Sequence, residues 1–204
     1  MNHQVGPASV LGRLAGAKHA LGYRLAFAGL CAPALEAAVA TVAVAQEELG
    51  HARLLYASEA RVRGSARDED ELDVPTAPPD PALVPDLDGW PDVLATLVTL
   101  DTAVLLWLQA LAEGRHAWLR TRAERMLGEE TFHRDYVRGW LAVTRPHPRL
   151  RTRVDAAIDA RHRRYRTWLD EINAGAAPLV AAGFLETAPT PAVFDDAVRA
   201  LVSC

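Results

Sequence analysis

The sequence predicts an all-α protein built around a four-helix bundle, and three observations support this prediction. Half of the 204 residues are hydrophobic, so the chain is long and apolar enough to bury a sizeable core. Strong helix formers are abundant and continuous strand-like alternation is absent. Two Glu-x-x-His tetrapeptides, Glu48 to His51 and Glu130 to His133, each lie inside a long helical pattern.

The first two predicted helices form a hairpin. Helix one covers about Ser9 to Ala28, and helix two covers about Pro33 to Val62. The turn falls near Leu30 to Pro33, because proline suits the first turn of a helix. The candidate core residues of helix two are Leu35, Val39, Val42, Leu49, Ala52, Leu55 and Tyr56.

A second hairpin follows a long connection. The prolines of residues 64–90 exclude a long helix there. Helix three is predicted at about Trp90 to Glu113 and helix four at about His116 to Thr144. A long crossover between two hairpins is typical of ferritin-like bundles. We therefore predict a ferritin-like domain over residues 1–204, with the bundle at about 9–144 and outer helices at about 150–202. The outer helices are predicted at Leu150 to Asn173, Pro178 to Phe184 and Pro191 to Val202.

The two tetrapeptides predict a metal centre inside this bundle. Residues i and i+3 share one helix face, so each tetrapeptide presents a carboxylate and an imidazole together. Counting back from the two turns, Glu48 faces position 18 and Glu130 faces Asp101. Such ligands suit iron or manganese, and zinc can also accept them. The predicted metal ligands are Glu48, His51, Asp101, Glu130 and His133.

Lys18 stands in the sixth ligand position and is the single lysine of the chain. A protonated ammonium cannot bind a metal, although it can place a positive charge among the carboxylates. Three alternatives stay open: a metal site lacking one ligand, a bundle in which lysine has partly replaced the metal, or a Lys18 exposed to solvent. The expected cofactor is therefore iron, as two ions or as none. Glu47 and Glu129 are expected on another helix face, solvated or paired with arginine.

Composition limits the other classes of function. The net charge of −4 does not suggest a nucleic-acid partner. The apolar run at residues 37–45 is too short to span a membrane, and no signal pattern opens the chain. Two cysteines form no disulfide framework, so a cytoplasmic location is expected. Tryptophans and arginines of helices four and five, taken as exposed, predict a homo- or hetero-oligomer with another ferritin-like subunit.

Three segments resemble the phenylacetic acid catabolic proteins, which are the A-type and C-type subunits of the phenylacetyl-CoA epoxidase complex. Gln46 to Tyr56 looks like the second-helix signature of that family. Glu129 to His133, followed by Arg138 to Leu141, is similar to the fourth-helix signature. Leu21 to Leu25 resembles the first helix of the C-type subunit, so the chain looks closer to the C-type. The resemblance covers about residues 10–170.

The resemblance implies a ferritin-like fold and two alternative functions. In the A-type subunit a di-iron centre epoxidises the aromatic ring of a CoA thioester, whereas the C-type subunit pairs with the catalytic one and has a structural role. Lys18 stands where the catalytic subunit would have a glutamate. The resemblance therefore favours a C-type-like partner subunit of an aromatic-CoA oxygenase with a degenerate site. The alternative is an autonomous di-iron or other metal-dependent oxygenase or oxidase that uses the carboxylate and histidine site, an oxidoreductase for which an acyl-CoA would be the substrate.

Overall fold

The protein is all-α in the part that the structure, a computed structural model, describes, namely residues 9–65 and 75–203. Residues 66–74 of the predicted crossover lie outside the described residues. The helices are α1 (Val10–Ala28), α2 (Leu35–Val62), α3 (Trp90–Ala112), α4 (Ala117–Thr144), α5 (Pro148–Asn173), α6 (Ala177–Ala181) and α7 (Pro191–Ser203). Every predicted helix is present, and the bounds of the five long ones agree within two residues.

Two antiparallel hairpins build the bundle, α1 with α2 and α3 with α4. Ser9 caps α1, since its Oγ accepts from the backbone N–H of Gly12 at 3.3 Å. A 3-10 turn at Gly29–Cys31 then leads into α2. Gly22 permits close packing of this hairpin, because a Cβ there would lie 2.9 Å from the carbonyl oxygen of Ala45. The first hairpin is therefore too tightly packed at this point for a larger side chain.

Helix α3 is the buried core helix of the bundle. It is long and apolar enough to cross a membrane, but 94% of its most apolar window is buried inside the protein. A π-helical turn interrupts it at Leu97–Asp101. Such turns insert one residue into an α-helix and change the direction of the side chains that follow. The turn therefore helps to set the direction of Asp101, which ends it.

Helix α5 packs outside the bundle against α3. Its Arg161 donates from Nη2 to Asp92 Oδ1 of α3 at 2.8 Å. The expectation that the tryptophans of α4 and α5 are exposed is wrong. Trp168 of α5 is buried, and Trp118 and Trp140 of α4 are half-buried and packed against the core. These three tryptophans therefore stabilise the fold.

The prediction of the core residues of α2 is also partly wrong. Ala52 and Leu55 are buried as expected, and Tyr56 is half-buried. Helix α2 carries apolar residues on two faces, and the face that also holds Glu48 and His51 turns inward. The opposite face remains on the surface and carries Leu35, Val39, Val42 and Leu49.

Candidate metal centre

Lys18 lies in the middle of the bundle and contacts three carboxylates. Its Nζ donates to Glu48 Oε1 at 2.9 Å, to Asp101 Oδ1 at 2.6 Å and to Glu130 Oε1 at 2.5 Å. The Lys18, Glu48 and Glu130 side chains are completely buried, and Asp101 is nearly so. The alternative of a solvent-exposed Lys18 is therefore wrong, whereas its pairing with these three acids agrees with the counting argument.

Four helices supply the cluster, one side chain or one tetrapeptide each. Lys18 comes from α1 and Asp101 from the π turn of α3. Helices α2 and α4 each contribute a buried glutamate and a buried histidine three residues later. The six residues Lys18, Glu48, His51, Asp101, Glu130 and His133, called the central cluster below, thus share one buried interior, as the i, i+3 spacing predicts.

Two further glutamates hold the histidines from the opposite helix. Nε2 of His133 in α4 lies 2.7 Å from Glu47 Oε2 in α2. Nε2 of His51 in α2 lies 2.7 Å from Glu129 Oε2 in α4. The expectation that Glu47 and Glu129 serve only solvent or arginine is therefore wrong, although Glu129 also accepts from Arg125 Nε at 3.4 Å.

The sequence did contain a signal for these two residues. Both tetrapeptides are preceded by a glutamate, which gives Glu-Glu-x-x-His twice. On a helix the two adjacent glutamates point about 100° apart, so one faces the interior and the other lies at the helix–helix boundary. A carboxylate in that position fixes the ring orientation of a histidine and leaves its second nitrogen for an inner ligand.

The inner nitrogens and oxygens of the cluster converge on a small volume. One ligand atom each from Glu48, Asp101, Glu130 and His133 lies within 4.8 Å of all the others. His133 Nδ1 is 3.1 Å from Glu48 Oε1, and His51 Nδ1 is 3.2 Å from Glu130 Oε1. Neither Nδ1 atom is aligned for a hydrogen bond with any described residue, and the same holds for one oxygen each of Glu48 and Glu130.

Charge compensation sets the protonation of the ammonium and the acids. Burial alone would lower the pKa of Lys18, but Asp101, Glu130 and Glu48 outweigh it and raise that pKa well above its ordinary value. Burial would raise the pKa of Glu130, yet Lys18 and the two histidines hold it well below the usual range. Burial raises the pKa of Glu48 against the opposing charge of Lys18. Lys18 is therefore an ammonium ion at neutral pH.

The histidines gain protons for the same reason. Burial would lower the pKa of His133, but the carboxylates of Asp101, Glu130 and Glu48 outweigh it and raise the pKa. Burial also opposes protonation of His51, and the nearby Glu130 and Glu48 raise its pKa above the ordinary value. The raised pKa values favour the positively charged form of both rings, which lie with the Lys18 ammonium among the buried carboxylates. Each Nδ1 can hold a proton or bind a cation, but not both at once.

A cavity of about 600 Å³ lies elsewhere, beside α1, the crossover and α5. Its lining includes Arg13, Asp80, Arg164 and Trp168, and no residue of the central cluster. A second cavity of about 390 Å³ lies between α5 and α7 and also excludes the cluster. These two cavities therefore give no access to the central cluster.

The comparison with protein families gives a match over most of the chain. The model for the phenylacetic acid catabolic protein family matches residues 5–187. No curated protein matches the sequence. The matched range includes all four bundle helices, α5 and every residue of the central cluster. The chain therefore belongs to the phenylacetic acid catabolic protein family.

Proposed function

We propose that the protein is a C-type-like partner subunit of a multicomponent oxygenase that acts on aromatic CoA thioesters in the cytoplasm. In this role its central cluster is a structural ion network and not a catalytic centre. The observation that supports the proposal is the position of Lys18 Nζ, which lies 2.5 to 2.9 Å from three buried carboxylates. An ammonium there takes the volume and the charge that a metal ion would otherwise supply.

The charge balance of the cluster supports this structural role. Three buried carboxylates need cationic partners, because an unpaired buried charge costs several kcal/mol. Lys18 supplies one positive charge, and the raised pKa values of His51 and His133 favour the positively charged form of each ring. The bundle can therefore be neutral inside without any metal. Buried ionic groups of this kind often specify a unique packing more than they add stability.

The residues of the central cluster supply only part of the ligands that a di-metal centre needs. A bundle of this type uses a carboxylate from each of two helices and a Glu-x-x-His from each of the other two. Helix α1 supplies Lys18 in place of its carboxylate, so a second ion would lack a ligand and would face an ammonium. The cavity of about 600 Å³ is not lined by the cluster, which is a further reason to prefer a non-catalytic role.

A single metal ion is the alternative, and one observation favours it. The inner Nδ1 atoms of His51 and His133 and one oxygen each of Glu48 and Glu130 have no hydrogen-bond partner among the described residues. These are donor atoms that suit iron or manganese. Glu48, Asp101, Glu130 and His133 would hold such an ion once Lys18 Nζ withdrew. Iron in that position would supply oxygen activation, and the protein would then be a metal-dependent oxygenase.

Metal analysis of purified protein tests the proposal. The wild-type chain and Lys18→Glu are expressed side by side in iron-rich medium and analysed by inductively coupled plasma mass spectrometry. We expect far less than one iron per wild-type chain, and iron retained by Lys18→Glu, which restores the sixth ligand. Wild-type protein with one iron per chain that Glu130→Ala loses would overturn the structural role in favour of the oxygenase.

A further inference from the structure

The cavity of about 600 Å³ beside α1, the crossover and α5, called the side cavity below, has the size and the lining of a small-molecule site. Gly16, Leu83 and Trp168 give it apolar surface, and Asp80 and Arg164 add charged groups. Sites for small molecules usually measure about 300–1,000 Å³ and combine an apolar lining with a few polar groups. The side cavity meets both conditions.

Gly16 opens the side cavity on the side of α1. Glycine inside a helix is less favourable than alanine, so a glycine there needs a structural reason. A Cβ added at Gly16 would meet nothing within 4 Å, although Gly16 is buried. The helical glycines with equally open surroundings, Gly50, Gly128 and Gly139, are exposed. Close packing of helices therefore does not account for Gly16, whereas an enclosed volume that admits a ligand does.

Hydrogen bonds hold the walls of the side cavity in place. Arg13 of α1 donates to the carboxylate of Glu171 in α5 at 2.9 Å and to its backbone carbonyl at 3.0 Å. On the crossover, the carbonyl oxygen of Leu83 accepts from Arg164 Nε at 3.2 Å and from Tyr165 Oη at 3.3 Å. Walls that are already fixed lose little conformational freedom when a ligand enters, and this favours binding.

Arg164 carries a positive charge that no acid balances in the part of the chain that the structure describes. Its guanidinium donates to the carbonyl oxygens of Leu83 and Ala82, and no described carboxylate lies within 4.0 Å of it. The charge of Arg13, by contrast, is matched by Glu171 at 2.9 Å. A guanidinium fixed in this way can bind a carboxylate or a sulfonate through paired hydrogen bonds.

Asp80 is the acid of the lining that forms no ion pair with a described residue. Its Oδ1 accepts from the backbone N–H of Ala82 at 3.1 Å, so one of its oxygens is engaged within the crossover. Asp80 therefore offers a cation fewer open positions than Arg164 offers an anion. The charge of Asp80 still opposes an anion, and this gives the proposal below a test of sign.

We propose that the side cavity binds a small amphipathic anion, that is, an apolar body with one carboxylate or sulfonate group. The anionic group accepts hydrogen bonds from Arg164, and the apolar body lies against Gly16, Leu83 and Trp168. An aliphatic body gains from burial of its surface, and an aromatic body gains a ring contact with Trp168 as well. This binding goes beyond the structural role of the central cluster and is independent of it, because the two sites share no residue.

Fluorescence titration with 1-anilinonaphthalene-8-sulfonate tests the proposal, and N-phenyl-1-naphthylamine, which lacks the sulfonate, is the matched neutral probe. We expect one sulfonate bound per wild-type chain. Gly16→Leu should abolish the binding of both probes, because the leucine side chain fills the cavity. Arg164→Gln should weaken the binding of the sulfonate by on the order of tenfold and leave that of the neutral probe unchanged.

The control variant is Arg153→Gln. Arg153 is exposed on α5, eleven residues and about 16 Å along the helix from Arg164, so its substitution should change neither titration. Circular dichroism checks that all variants remain helical. A wild-type chain that does not bind the sulfonate, or binding that is the same in Gly16→Leu and Arg164→Gln as in the wild type, would overturn the proposal.

Asp80→Asn tests the sign of the ligand's charge. This variant keeps an acceptor for the Ala82 N–H and removes a negative charge from the lining, so the sulfonate should bind more tightly. Weaker binding of the sulfonate by Asp80→Asn would contradict an anion site.

Displacement of the bound sulfonate distinguishes the two kinds of apolar body. Octanoate represents an aliphatic ligand and 2-naphthoate an aromatic one, with octanamide and 2-naphthamide as the neutral controls. We expect at least one of the acids to displace the probe at a concentration at which its amide does not. Amides that compete as well as the acids would show that the anionic group is not recognised, which would overturn the proposal.

Discussion

Glu47 of α2 holds His133 of α4, with 2.7 Å between Glu47 Oε2 and His133 Nε2. The reciprocal pair joins His51 of α2 to Glu129 of α4 at the same distance. Each outer glutamate is about one-third exposed, whereas each histidine is buried. These two contacts between α2 and α4 thus join the two hairpins at the level of the central cluster. They also determine which ring nitrogen of each histidine faces inward.

The first prediction concerns the contact between Glu47 and His133. Glu47→Ala should lower the free energy of unfolding by about 1–3 kcal/mol, because it leaves the buried Nε2 of His133 without a partner. Glu47→Gln keeps an acceptor in place and should cost less. Urea unfolding followed by circular dichroism measures both. Glu124→Ala on the exposed face of α4 is the control, since a surface ion pair is worth at most about 1 kcal/mol. Equal losses for Glu47→Ala and Glu124→Ala would contradict the role given to Glu47.

The second prediction concerns Lys18. Lys18→Met removes the ammonium and leaves Glu48, Asp101 and Glu130 buried without it, so the metal-free protein should lose about 3–5 kcal/mol of stability. Arg153→Met, an exposed position on α5, should change stability by no more than about 0.5 kcal/mol. Thermal and chemical denaturation in the presence of a chelator measure the difference. A Lys18→Met protein as stable as the wild type would show that the ammonium is not needed to balance the acids.

The third prediction is a pH dependence with a defined sign. His51 and His133 have pKa values that are higher in the folded protein than the ordinary value near 6.5. Their stabilising contribution is therefore complete below about pH 6.5 and is lost as the pH rises through the folded values. Unfolding free energies of the chelator-treated protein should fall above pH 6.5, by up to about 1.4 kcal/mol per pH unit for each histidine.

The variant His133→Gln and unfolding measurements at acid pH complete this test. His133→Gln should make the decline above pH 6.5 shallower, because one of the two proton-binding sites is gone. Glu130 acts in the opposite direction: its pKa is depressed in the folded state, so its contribution is present above about pH 4.5 and is lost as the pH falls. A free energy of unfolding that rises steadily from pH 6.5 to pH 9 would show that the pKa values of the two histidines are not raised in the folded protein.

The fourth prediction tests the close packing of α1 on α2. Gly22→Ala would place a Cβ 2.9 Å from the carbonyl oxygen of Ala45, so the helices must separate at a cost of about 1–3 kcal/mol. Gly139→Ala is the matched control, because a Cβ on this exposed residue of α4 meets nothing within 4 Å. That control should stabilise the helix by about 0.5–1 kcal/mol. Melting temperatures that move in the same direction for both variants would argue against tight packing at Gly22.

Much of the site could be predicted from the sequence because its signals are local. The helical period places Glu48 with His51 and Glu130 with His133, whatever surrounds them. Counting from the two turns then assigned Lys18 and Asp101 to the same level, and the structure has Lys18 in contact with Asp101, Glu48 and Glu130. The helix bounds follow from prolines, glycines and composition, which act within a few residues.

Tertiary structure alone decided which way α2 turns and which residues meet across helices. Helix α2 has apolar residues on two faces, Ala37, Val44 and Leu55 on one and Leu35, Val39 and Leu49 on the other. Periodicity cannot choose between them; the choice depends on which face fits α1 and α4 while pairing the buried charges. The contacts of Glu47 with His133 and Glu129 with His51 depend on that same rotation, so the physical cause of both is packing between helices and not preference within one.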